Sequence, residues 1–146
     1  MTPALRATIK RVKNEKKLFD FLKKHNIKYR LNPRMTTGSW QYHTSNPDLC
    51  RIIIGAKDYD DDDDALISSF LHETAHVFCH RCKIYKKYHS GYLSKSYIRR
   101  MALKIERYID KKAAKLMQEI FPKRKYRYGY SESGAREFLL KWYKID

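Results

Sequence analysis

The sequence predicts an α+β fold, with a small, antiparallel-dominated sheet packed against one buried helix and a longer second helix. Three observations predict it. Alternating and β-branched runs are confined to residues 27–55, a mostly apolar helical run spans Ala65 to Arg81, and a long helical pattern ends at Pro122. A chain of 146 residues has room for one core and little more, so residues 1–146 are expected to form one domain.

Taken in order, Ala7 to Asn26 sets Ile9, Val12, Leu18, Phe19 and Leu22 among lysines, which suits one basic amphipathic helix. Ile27 to Leu31 reads as a short strand closed by Asn32-Pro33. Trp40 to His43 alternates as a second strand after the turn at Thr36 to Ser39. A turn at Ser45 to Asp48 leads to Leu49–Gly55, whose Ile52-Ile53-Ile54 is the densest β-branched run. Asp58 and Asp60 to Asp64 read as a solvated loop that opposes the basic surface, with Asp64 a candidate cap for the next helix. The run lacks the spaced ligands and glycine of a helix-loop-helix calcium site.

After the helix of Ala65 to Arg81 comes a basic, tyrosine-containing connection. Ser94 or Ser96 then opens a long helix, with apolar positions from Ile98 to Ile120 spaced mainly by three and four. Pro122 stops it, Lys123 to Tyr130 is a loop, and Gly134 to Tyr143 can form a last short helix.

The chain holds 32 lysines and arginines against 16 acids, a formal charge of +16. Such an excess points to an acidic partner, nucleic acid among them. Tyr85-Lys86-Lys87-Tyr88 and Arg124-Lys125-Tyr126-Arg127-Tyr128 interleave cations with rings, as single-strand binding grooves do. They are equally ordinary surface residues. The N-terminal segment shows no signal-peptide core and no stretch is long and apolar enough to span a bilayer. With three cysteines, an odd number, the expectation is a reduced cytoplasmic protein without membrane partners.

The chemistry concentrates in Ser68 to His80, SSFLHETAHVFCH. Residues four apart on a helix lie about 40° round and one turn along, so His72 and His76 project side by side. Two imidazoles so placed can grip one zinc ion. Glu73 points beside the metal, where a carboxylate can take a proton from water and pass it to a leaving amine. A chance order with core histidines satisfied by backbone carbonyls is the competing reading.

A catalytic zinc needs a third protein ligand and one open position. His80 continues the ladder but has rotated about 80° from His72. His89, in a loop, could fold back. Glu106 on the long helix is preferred, with Asp110 one turn on to accept the free N–H of a ligating histidine. Glu106 could instead pair with Arg107 or Lys111 on the helix surface. Cys79-His80-Arg81-Cys82 with His89 invites a separate structural zinc, though only Cys50 remains to complete it.

HETAHVFCH together with Glu106, Asp110 and Ala113 in KIERYIDKKAAKLM resembles the ImmA/IrrE-type metallopeptidases, which are small gluzincins. The resemblance covers roughly Ile52 to Pro122. It implies a minimal zincin fold and a zinc-dependent endopeptidase that cuts a regulatory, often DNA-binding, protein, as in phage or mobile-element biology. It also implies His72, His76 and Glu106 as metal ligands and Glu73 as catalytic base. The strong positive charge and the long basic insertion between His80 and Glu106 depart from the family pattern.

A second resemblance, to SprT-like proteases that clear proteins from DNA, would make His89 in Tyr88-His89-Ser90-Gly91 the third ligand. From another class, the chain could be a non-catalytic basic nucleic-acid-binding protein. The strand at Arg51 to Gly55 is a candidate edge for an extended substrate, and His89, Tyr92 and Tyr97 are candidate donors to a developing oxyanion.

Overall fold

The computed structural model describes residues 1–36, 39–43, 46–81 and 95–127. Helices α1 (Pro3–Lys13) and α2 (Lys16–Lys24) precede strands β1 (Ile27–Asn32), β2 (Ser39–His43) and β3 (Asn46–Gly55), followed by helices α3 (Asp63–Arg81) and α4 (Lys95–Ile120). Among the described residues no helix is long and apolar enough to cross a membrane.

The N-terminal segment is two helices where one was expected. Leu5, Ile9 and Val12 are buried on α1, and Leu18 and Leu22 on α2. At about 100° per residue the second group lies roughly 120° round from the first. One straight helix cannot turn both stripes to one core, so the chain breaks at Asn14 and Glu15. Thr2 caps α1 by accepting a bond from the Leu5 amide at 3.0 Å, and Pro3 follows at the first helical position.

The sheet order is β1-β3-β2. The expected antiparallel-dominated sheet is overturned, because β1 runs parallel to β3 through six paired positions from Ile27–Cys50 to Asn32–Gly55. Only β2 pairs antiparallel with β3. The strand with the richest β-branched run takes the centre, where Ile52 and Ile54 are fully buried. That placement removes β3 as a docking edge, since both of its sides are already paired.

Helix α3 is the structural axis. Every residue from Ala65 to Val77 is buried, and the helix contacts α1, β2, β3 and α4. A helix enclosed on all sides must satisfy its own polar groups. The Ser68 hydroxyl donates to the Asp64 carbonyl, and Thr74 to the Phe70 carbonyl, each four residues back.

The acidic run is used internally. Asp62, not Asp64, caps α3, accepting from the Ala65 amide at 3.1 Å. Asp63 pairs with the Arg11 guanidinium through both oxygens, and Asp64 pairs with Arg124. These contacts bind α1 and the segment after α4 to the start of α3.

Candidate metal centre

His72 and His76 sit on adjacent turns of α3 with ring centroids 4.9 Å apart, both buried. Glu106 reaches them from α4. Its Oε1 lies 3.3 Å from His76 Nε2 and its Oε2 3.3 Å from His72 Nε2. The carboxylate thus straddles the two imidazoles, and one donor atom from each residue falls within 4.8 Å of the others.

Each imidazole faces its own carboxylate oxygen at a distance longer than the about 2.7–2.9 Å of a tight charge-assisted N–H···O bond. The three side chains together could hold one metal ion. Glu106 Oε2 is buried without a well-formed hydrogen bond among the described residues. Two imidazoles and one carboxylate are also a donor set that zinc accepts.

Asp110, one turn beyond Glu106, orients His72. Its Oδ1 lies 3.0 Å from His72 Nδ1, and a carboxylate oxygen can only accept, so Nδ1 carries the hydrogen. The Nε2 atom is thereby turned toward Glu106. A second donor shares that oxygen: Tyr126 donates its hydroxyl to Asp110 Oδ1 at 2.8 Å and stands 3.4 Å from His72 Nδ1.

Tyr126 is the residue that sequence reasoning missed. Its place is in a basic, aromatic loop that reads as ordinary surface, but residues 123–127 of that loop fold back over α3. Arg124 bridges Glu15 and Asp64, the Lys125 amide meets Asp64, and the Arg127 amide donates to the Ser68 hydroxyl at 3.0 Å. The stop at Pro122 was the available signal that the chain reverses there.

Charge is strongly redistributed in the cluster. Burial alone would lower the His72 pKa, but Asp110 and Glu106 outweigh it and carry it up to about 9. Burial would raise Glu106, yet the two facing imidazoles bring it down to about 2. Without a metal, the cluster therefore holds a proton where a cation would otherwise stand. Glu73, 4% exposed, is pushed up by burial and only partly restrained by His76 and His72. Burial and the Asp110 charge push the Tyr126 hydroxyl up, so it remains a donor.

The structure brings together four sequence-predicted residues, His72, His76, Glu106 and Asp110, and buries Glu73 beside them. His89 and Tyr92 lie outside the described residues, as do Cys82 and the side chains of His80, Tyr97, Cys50 and Cys79. No family model matches the chain, and no curated protein or solved structure matches it. What the cluster shares with a zinc peptidase is its donor set and its His-Glu-x-x-His spacing.

Proposed function

We propose that residues 1–146 form a zinc-dependent endopeptidase domain of the gluzincin type, with His72, His76 and Glu106 as ligands and Glu73 as the catalytic base. The observation that carries this reading is the convergence of two buried histidines one helical turn apart with a half-buried carboxylate from a second helix. The resemblance to ImmA/IrrE-type enzymes extends it to a regulatory or DNA-binding protein as substrate.

Bound there, zinc supplies a Lewis acid that polarises the scissile carbonyl and acidifies a water molecule. Glu73, raised by burial, has the basicity to take a proton from the attacking water and return it to the leaving amine. Asp110 holds His72 in one tautomer, and Tyr126 fixes the carboxylate that does so. His89, Tyr92 or Tyr97 supplies the donor for the developing oxyanion.

The test is Glu73→Gln assayed on a quenched-fluorescent peptide library alongside bound zinc. Retained zinc with cleavage reduced about 10²- to 10⁴-fold is expected. Retained zinc with cleavage at the parental rate sinks the role of Glu73. The SprT-like reading, with His89 as third ligand, requires Glu106→Ala to keep full zinc and His89→Ala to lose it. A purely structural metal would leave the parent protein without cleavage of any library member.

A further inference from the structure

The free cations of the described surface are not where the basic motifs suggest. Residues 85–88 lie outside the described residues, and Arg124, Tyr126 and Arg127 are engaged within the fold. The first 34 residues, by contrast, carry 11 lysines and arginines against two acids, Glu15 and Asp20. Of those acids, Glu15 is already held by Arg124.

A groove of about 780 Å³ opens between α2 and β1 in this region. Lys23, Lys28, Arg30 and Arg51 line it, together with the rings of Phe19 and Tyr29, and no acid does. Asn26, at φ 55°, turns the chain from α2 straight into β1, which is an edge of the described sheet. The parallel register sets Lys28 level with Arg51, so the two share a sheet face, and Arg30 joins them two residues on. Two strand residues advance about 6.6 Å, of the order of one backbone step in an extended nucleic-acid strand.

None of the four cations forms an ion pair among the described residues. Tyr29, level with buried Ile52, alternates to the opposite, helix-packed face of β1, where it is 41% exposed with its ring 4.9 Å from Phe19 and 5.7 Å from Phe70. Because β1 is an edge of the described sheet, this aromatic ledge and the strand cations line the groove from the two sides of that edge. We propose that this groove binds single-stranded nucleic acid, with phosphates along Lys28, Arg30 and Arg51, Lys23 at the helix side, and a base stacked on Tyr29.

An acidic peptide would meet the same charges but has no use for an aromatic ledge. Duplex DNA keeps its base faces inside the stack and cannot use the ledge either. The groove shares no residue with the His72, His76 and Glu106 cluster, so the proposal stands apart from the peptidase reading.

The test is fluorescence anisotropy of the full chain with a labelled oligothymidylate of roughly 16 nucleotides over a salt series. Four phosphate contacts at about 0.7 each predict a log–log salt slope near −3. Replacing Lys28, Arg30 and Arg51 together by Gln is expected to weaken binding at least 10-fold and flatten the slope by about 2. Tyr29→Ala weakens it at least 5-fold with the slope unchanged. The control removes equal charge from exposed Lys111, Lys115 and Lys123 and stays within 2-fold of the parent.

Ultraviolet crosslinking of the unaltered protein, which needs no variant to fold, is expected to mark the peptide containing Tyr29. Equal losses in groove and control variants, equal competition by duplex, or crosslinks only outside the groove would overturn the proposal. So would a polyglutamate peptide that displaces the label better than unlabelled oligonucleotide does.

Discussion

The space between α3 and α4 and the groove between α2 and β1 use ionisable groups in opposite ways. In the first, two buried imidazoles and a half-buried carboxylate converge, and the His72 and Glu106 charges shift each other's titration in opposite directions. In the second, four exposed cations and a ring line an open groove at the edge of the sheet, with no acid among the lining residues. Burial makes the first arrangement stable only if charge is balanced at its centre, by a proton or a metal ion. Solvent keeps the second stable without a partner, so its charge remains available to a polyanion.

The most damaging way to test this contrast is to remove Glu106. Glu106→Ala leaves two neutral donors on one helix and is expected to lower zinc from about one ion per chain to a trace after desalting, read by elemental analysis. A ligand present at 1,000 times its dissociation constant stabilises the folded state by about 4 kcal/mol. Zinc should therefore raise the thermal midpoint of the parent and leave that of Glu106→Ala unchanged. A variant that keeps full zinc and the same midpoint shift would break the buried half of the comparison.

The pH dependence of the metal-free cluster comes next. His72 is raised from 6.5 to about 9, so its stabilising contribution is complete below 6.5 and disappears as pH rises through about 9. Glu106 is lowered from 4.5 to about 2, so its contribution is present above 4.5 and is lost as pH falls toward 2. The two together place greatest support between about 4.5 and 6.5. Zinc must displace the His72 proton, so uptake near pH 7 releases a proton and affinity climbs until about pH 9. Calorimetric titrations in buffers of different ionisation enthalpy measure that release, and pH-independent affinity between 6 and 9 contradicts it.

These effects also show which parts of the protein were legible in its sequence. The pair His72 and His76 is local, since helix geometry alone sets residues four apart on one face. Glu106 and Asp110 were legible as an acidic pair one turn apart among apolar residues, costly to bury without partners such as the histidines, and the resemblance named the same two. The break between α1 and α2 lay in the slipped phase of Leu18 and Leu22, which spacing within each half does not reveal. The order β1-β3-β2 was out of reach, because strand periodicity fixes which residues face the core and says nothing of which strand lies beside which. The role of Tyr126 was hidden for the same reason. It depends on Arg124 meeting Glu15 and Asp64 across 109 and 60 residues of chain.

Tyr126→Phe sharpens the comparison with a smaller effect. It removes one hydroxyl from Asp110 while the ring stays in place. Loss of a partner that hydrogen-bonds a metal ligand typically weakens metal binding 10- to 100-fold, and Tyr126 acts one step further out, through Asp110. The expected result lies near the lower end, because Asp110 retains His72 as a partner. The ligand-field bands of a cobalt-substituted protein should shift in the variant, a change that loss of packing alone would not produce. Unchanged zinc affinity and unchanged cobalt bands would make Tyr126 a packing residue only.

The smallest effects should separate charges that hold the fold together from charges that do not. Arg124 joins Glu15 beside α2 to Asp64 on α3, each partner about 28–29% exposed, and its segment carries Tyr126. Solvent-screened pairs of this kind contribute about 0.2–1 kcal/mol each. Arg124→Ala should therefore cost about 1 kcal/mol in urea unfolding and also weaken zinc slightly, since it loosens the segment that places the Tyr126 hydroxyl. Lys28→Ala, at the groove, should stay within about 0.5 kcal/mol of the parent and leave zinc binding untouched. If Lys28→Ala destabilises as much as Arg124→Ala, the groove charge supports the fold, and its exposure no longer marks it as available to a partner.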